Sequence, residues 1–282
     1  MLPADCDLDD FIRHTLAEDM GSAGDVTSAA TIGAGARFRA EMNCREPIVV
    51  AGLEIAAAFF QALDPEVQVE PAATDGERVD AGAVLMRLEG TARAMLTAER
   101  SALNTVQHLS GIATLTRRYV DAIAGTGATL LDTRKTLPGL RVLNKYAALM
   151  GGAQNHRMRL DDGVLIKDNH LAVTGGVEAA VRRAREANTG LQIQVEVDRL
   201  KQIGPALTAG AERLLLDNMT NEQLREAVRI VAGRVPLEAS GGVNLETIRG
   251  IAETGVDFIS VGRITQSAPA VDIGLDFEAQ PF

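Results

Sequence analysis

The sequence predicts an α/β protein: a parallel α/β barrel in the second half, preceded by a smaller α+β domain. Three observations predict it. After residue 128 six short apolar runs alternate with helix-like segments, and strands that alternate with helices pair in parallel. The last of these units recur about every twenty residues, near the minimum for a βα unit and so a barrel's spacing. The first ~110 residues follow a different rhythm, with strand-like runs and only two helical stretches.

Taken in order, "RFRAEM" (37–42), "EVQVE" (66–70) and "AVLMRLEG" (83–90) read as strands, with a helix near 52–63 and another from 92 onward. The turn in "ERVDAGAVL" belongs to a small β-containing domain. The helix that starts at residue 92 bridges to the barrel. The barrel strands are "ATLLD" (128–132), "GVLIK" (163–167), "IQVEV" (193–197), "RLLLD" (213–217), "VPLEA" (235–239) and "FISVG" (258–262). Thr220 and Asn244 are N-caps by residue type, and Gly210, Gly233 and Gly255 are stops. Six units leave the barrel short or incomplete, unless a further strand lies near 109–127. These boundaries predict domains at 1–110 and 111–267, with the tail 268–282 returning to the first.

Composition narrows the function. The chain has 282 residues, 46% apolar and 23% charged, which is an ordinary globular balance with enough material for a sizeable core. A formal net charge of −10 argues against bulk nucleic-acid binding, which uses a basic face. The apolar stretch at 47–63 is broken by Glu54 and Gln61, so no membrane span is expected. "MLPADCDLDDF" lacks the basic and apolar regions of a secretory signal. Cys6 and Cys44 form no CxxC pair, and a reducing cytoplasm is the expected compartment. The charge is uneven, however. Residues 132–170 hold seven Lys or Arg against four Asp, a net of +3 in an acidic chain. Such an island either is solvated surface charge or meets a compact anionic ligand.

Most of the strand-like runs end in a polar residue that a buried strand does not need: Asp132, Lys167, Asp217 and Ser240, with Glu196 close to one. Parallel α/β folds place their sites at that rim. Arg134 and Lys135 follow a strand end, the first with a fork suited to carboxylates, the second a point charge suited to phosphate. His156, Arg157 and Lys167 come next. Singly these read as a hydrogen-bonded loop residue, a surface ion pair and a snorkelling lysine. Together at one rim, clustered cations repel unless an anion joins them. Glu196 and Asp217 fit either Mg²⁺ or sugar hydroxyls, or pairing with those cations. "EASGGVN" and "ISVGRITQSA" place Ser240, Gly241, Gly242 and Gly262 in turns between a strand and a helix, the usual phosphate cradle of late barrel loops. Simple loop closure is the alternative.

These residues resemble quinolinate phosphoribosyltransferase along nearly the whole chain: "EDMGSAGDVTS", "TAERSALNTVQHLSGIAT", "DTRKTLPGLR", "GGAQNHR", "LIKDNH", "LLLDNM", "EASGGVN" and "ISVGRITQSAP". The order DTRKT, NHR, LIKDNH is specific. The resemblance implies an N-terminal α/β sandwich, an incomplete C-terminal barrel and a homodimer with shared sites. It implies conversion of quinolinate and phosphoribosyl pyrophosphate to nicotinate mononucleotide, pyrophosphate and CO₂, with Mg²⁺ and no organic cofactor, in NAD biosynthesis. By the same resemblance Arg134, His156, Arg157 and Lys167 hold quinolinate's carboxylates, and Arg100 reaches in from the partner subunit. Lys135 and Lys167 meet phosphoribosyl pyrophosphate, Glu196 and Asp217 its ribose hydroxyls or the metal, and Ser240, Gly241 and Gly262 its phosphate. Asp132 orients the cations. The chain departs from the familiar pattern at Arg159, at Gln266 and at the inserted pair Ser22 and Ala23. Three other readings compete: a related barrel protein of molybdenum-transport loci, a Schiff-base aldolase using Lys167, and a non-catalytic phosphosugar-binding barrel.

Overall fold

The computed structural model describes residues 6–279, and the chain folds as two units. The first takes in the chain up to residue 115, residues 142–151 and the stretch from 267 on; the second takes in 116–141 and 152–266. Residues 142–151 therefore group with the first unit, whereas the βα rhythm assigns them to the barrel.

In the first unit, helices α1 (Leu8–Met20) and α2 (Val26–Thr31) precede strand β1 (Arg37–Cys44). Asp7 caps α1, its carboxylate accepting the Asp10 N–H at 3.0 Å. Then follow β2 (Ile48–Val49), α3 (Leu53–Leu63), β3 (Gln68–Pro71), β4 (Arg78–Val79) and β5 (Val84–Thr91). The 31-residue helix α4 (Ala92–Ala122) carries Ala92, Met95, Ala98, Ala102, Val106, Leu109 and Ala113 at three- and four-residue spacing, all buried. It fills the stretch where a further strand was to be sought, and none is there.

The main sheet of this unit is antiparallel, in the order β12-β1-β5-β3, where β12 (Ile273–Ala279) is the last strand of the chain. The C-terminal stretch crosses α4 at Gly111, where a Cβ would stand 3.1 Å from Ala270 Cα. Gln107 holds it there by donating to the Ile273 carbonyl at 2.7 Å. Residues 280–282 of the predicted tail lie outside the described residues.

The second unit contains β6 (Thr129–Leu131), β7 (Val164–Ile166), α6 (Asp168–Thr174), α7 (Val177–Glu186), β8 (Ile193–Val197), α8 (Ile203–Ala209), β9 (Arg213–Asp217), α9 (Asn221–Val231), β10 (Leu237–Ser240), α10 (Ile248–Ala252), β11 (Phe258–Ser260) and α11 (Arg263–Gln266); α5 (Arg141–Met150) interrupts it in sequence. Its six strands are parallel in the order β6-β11-β10-β9-β8-β7. The chain's first strand of this sheet lies beside its last, which is a barrel's order, and the seam falls between β6 and β7. A single parallel bridge, Leu131 to Gln154, occupies the open edge of β6. The incomplete barrel expected from six βα units is the fold observed. Among the described residues no helix is long and apolar enough to cross a membrane.

Candidate active site

Parallel strands that enter a sheet together also end together, so the residues just past β6 through β11 share one rim. They enclose a cleft of about 790 Å³. Arg134, Lys135, His156, Arg157, Lys167, Glu196, Asp217, Ser240, Gly241 and Gly262 all line it. Arg100 does not: it is exposed on α4, in the first unit. Strand order sorts the lining by charge. The cations stand at the seam and on its two flanking strands, the acids follow β8 and β9, and the glycine turns follow β10 and β11.

Asp132 builds the seam side. Fully buried, it accepts the Asn155 side-chain amide at 2.6 Å and the His156 backbone N–H at 2.8 Å. It thus holds the loop that carries His156 and Arg157 beside the loop that carries Arg134. The Arg157 guanidinium donates to the Gly163 carbonyl at 2.9 Å. Burial lowers the Arg157 pKa, and the neighbouring Arg134 charge lowers it further. Arg134 Nε is buried with no hydrogen-bond partner among the described residues. Two close guanidinium groups, one with a buried unpaired N–H, are suited to an anion.

Across the cleft, Gly241 and Gly242 take φ values of 93° and 62°, open to glycine at little cost, and let the backbone turn line the cavity. Gly262 is needed for a different reason: a Cβ there would come 2.7 Å from Lys135 Cδ. Lys135 therefore lies on the glycine-turn side, and the Thr265 hydroxyl donates to its carbonyl at 2.9 Å. Gln266 also lines this part of the cleft.

Glu196 stands between the two sides, 4.0 Å from Lys167 Nζ. Burial raises its pKa above the ordinary glutamate value, with Lys167 opposing and the Asp217 and Asp168 charges adding to the rise. A raised carboxyl binds a proton more readily folded than unfolded, so stability falls as pH rises from the ordinary glutamate range through the folded pKa. Glu196→Gln is accordingly expected to raise Tm by a few degrees at pH 7, a gain that shrinks as pH falls through that window. Thermal melts from pH 4 to 8 check it; a lower Tm at pH 7 refutes the reading. Among the described residues no three His, Cys, Asp or Glu gather as a metal cage. The Glu196 and Asp217 pair suits a hard cation that keeps waters and arrives with a phosphate, as Mg²⁺ does.

Two family models cover the chain: "Quinolinate phosphoribosyl transferase, N-terminal domain" over residues 25–110 and "Quinolinate phosphoribosyl transferase, C-terminal domain" over 112–276. The chain belongs to the quinolinate phosphoribosyltransferase family. It is 45% identical to the nicotinate-nucleotide pyrophosphorylase (carboxylating) of Mycobacterium leprae, an alignment spanning 97% of this chain and 99% of that one. It is 40% identical to the chloroplastic protein of that name from Arabidopsis thaliana, over 97% and 84% of the two chains. Among solved structures it resembles the nicotinate-nucleotide pyrophosphorylase of Ehrlichia chaffeensis, with TM-score 0.93, 40% identity and coverage of 97% and 100%. The one from Francisella tularensis gives 0.92, 39% and 96% of each chain.

In this quinolinate phosphoribosyltransferase-family chain, three residues beneath the rim escaped the sequence reading. Glu238, 0% exposed, accepts the Gln194 side-chain amide at 2.7 Å and an ion pair from Arg213 at 2.8 Å; Arg213 lies 4.0 Å over the Phe258 ring. A charged or amide residue inside each of "VPLEA", "IQVEV" and "RLLLD" was the available signal. Of the departures from the family pattern, Arg159 pairs with Asp161 on an exposed loop at 3.0 Å. Lys167 is 49% exposed with a carboxylate beside it, the opposite of the desolvated amine that Schiff-base chemistry requires.

Proposed function

We propose that this cleft joins quinolinate to phosphoribosyl pyrophosphate, releasing pyrophosphate and CO₂ and leaving nicotinate mononucleotide, a step of NAD biosynthesis. The sorting of charge around the rim carries the reading: cations at the seam, two acids beside them, glycine turns opposite. A dianionic pyridine fits the first, ribose hydroxyls the second and a phosphate the third. The carboxylates of quinolinate meet Arg134, Arg157 and Lys167, with His156 beside them. Lys135 and Lys167 face the pyrophosphate, Glu196 and Asp217 the ribose, and Ser240, Gly241 and Gly262 the 5′-phosphate. Mg²⁺ bound with phosphoribosyl pyrophosphate would be held by Glu196 and Asp217 and would supply counter-charge to the departing pyrophosphate.

As pyrophosphate leaves the ribose C1, positive charge builds on the sugar, and fixed carboxylates below it stabilise that charge without reorganising. The pyridine nitrogen forms the new bond to C1. The resulting pyridinium holds the electron pair left at C2 when CO₂ departs, and a proton from solvent replaces it. No side-chain nucleophile is required. Clamping the dianion in one pose supplies much of the acceleration, because oriented reactants gain roughly 7–11 kcal/mol over free encounter. The carboxylating and decarboxylating names of the relatives describe one reaction from its two ends.

Purified protein given both substrates and Mg²⁺ is expected to form nicotinate mononucleotide and CO₂ in equal amounts, with nicotinic acid a poor substitute. No nucleotide product would remove the assignment. The working form is a cytoplasmic homodimer in which Arg100 of one subunit serves the cleft of the other; its exposure on α4 and absence from its own cleft support this. Mixed Arg100→Ala and Lys167→Ala subunits, each inactive alone, should then recover about a quarter of wild-type activity, since random pairing makes one intact site in half the dimers. No recovery on mixing refutes the shared site.

A further inference from the structure

Each nitrogen of the His156 ring is engaged inside the protein. Nδ1 accepts the Arg157 backbone N–H at 2.8 Å, so the neutral ring carries its proton on Nε2, which stands 3.4 Å from Glu238 Oε2. The ring is 12% exposed and its backbone N–H is spent on Asp132. The ring is thus a bridge, from the buried Glu238 carboxylate to the peptide that sets the direction of Arg157.

We propose that Glu238 is a positioning residue of the quinolinate clamp, acting through His156 on Arg157. The inference rests on the phosphoribosyltransferase reading above. Glu238 is suited to the task because it is anchored from both sides: Gln194 donates to it from β8, Arg213 pairs with it from β9, and Arg213 is itself stacked on Phe258. Its burial raises its pKa, but His156, Arg213 and Gln194 together pull it below the ordinary glutamate value, so it stays an anion. The anion also sits under a rim of like cations and offsets their repulsion. Outer partners that orient metal-ligating groups are worth roughly 10–100-fold in metal affinity, and the lower end of that scale is expected for this carboxylate clamp.

The competing role for Glu238 is to neutralise Arg213 and nothing more. The test uses the full chain, whose four histidines make ¹⁵N-histidine NMR simple to assign. In ligand-free wild type His156 is expected as the pure Nε2–H tautomer. In Glu238→Gln and in the charge-free Glu238→Leu/Arg213→Met the ring loses its anionic Nε2 partner and is free to turn off the Arg157 N–H, so the tautomers should mix. Calorimetric titration should show quinolinate Kd raised roughly tenfold in both variants, with phosphoribosyl pyrophosphate Kd within about twofold. The double variant guards against misfolding, since an apolar pair can replace a buried ion pair with little loss. Wild-type tautomer and quinolinate affinity in the double variant would overturn the proposal. A wild-type protein that binds no quinolinate overturns instead the functional reading on which it rests.

Discussion

Arg134→Ala is expected to raise the quinolinate Kd on the order of 100-fold, because truncating one partner of a desolvated charge pair costs about 2–5 kcal/mol. The structure gives the reason. Arg134 Nε is buried without a hydrogen-bond partner among the described residues, and Arg134 and Arg157 lie close enough for the one charge to depress the other's pKa. Both arginines are therefore poised for an anion, and quinolinate brings two carboxylates. With one fork gone, the remaining contacts no longer fix the ring, so kcat falls as well. Phosphoribosyl pyrophosphate affinity should stay near wild type. Arg134→Lys restores the charge but not the planar fork and should recover only part of the loss. The same repulsion predicts an opposite effect on stability: without ligand, Arg134→Ala should melt at or above the wild-type temperature. Calorimetric titration and a thermal melt measure both quantities. Unchanged quinolinate affinity would take Arg134 out of the clamp.

Gly241→Ala should fail for a different reason, through the backbone. Gly241 holds φ at 93°, and a Cβ there would lie 2.9 Å from the Asn218 backbone nitrogen and run into its side-chain amide. Asn218 has no room to yield. Its N–H donates to the Ser240 carbonyl at 2.9 Å, its side chain donates to Asp217 at 2.7 Å, and its own φ is 53°. The loops after β9 and β10 are thus locked together, and one methyl group pushes them apart. The expected cost is about 2–4 kcal/mol of stability. Loss of phosphoribosyl pyrophosphate binding should accompany it, because the same shift moves the glycine turn and Asp217. Quinolinate binding at the far side of the cleft should be less affected. Wild-type Tm and wild-type phosphoribosyl pyrophosphate affinity in the variant would refute the cradle.

Much of this was legible in the sequence. The alternation of apolar runs and helices dictated parallel strands, and their polar ends named the rim. Every cleft residue singled out from β6 to β11 reached that cleft because parallel strands deliver their C-termini to one side. Six runs left either an incomplete barrel or an unread strand near 109–127, and helix α4 removes the second option. Where the rhythm misled was at residues 142–151. A helix following a strand looks like any other βα helix, and its apolar face does not say which core it will join.

The sequence by itself determined the barrel strands, the rim residues and the family, because local periodicity and motif order are carried by neighbours along the chain; helices α1 and α2 and strand β12 were not read from it. Only the tertiary structure decided that Gln194, Arg213 and Glu238 meet beneath the rim. Alternation tells which residues of a strand share a face, but not which face turns inward or which strands become neighbours. Those follow from long-range pairing in the order β6-β11-β10-β9-β8-β7. The same holds for His156. Its motif marked it as a residue of the clamp, and Nδ1 takes the N–H of its chain neighbour Arg157, yet the residue that Nε2 faces was set by chain segments more than eighty residues apart meeting in space.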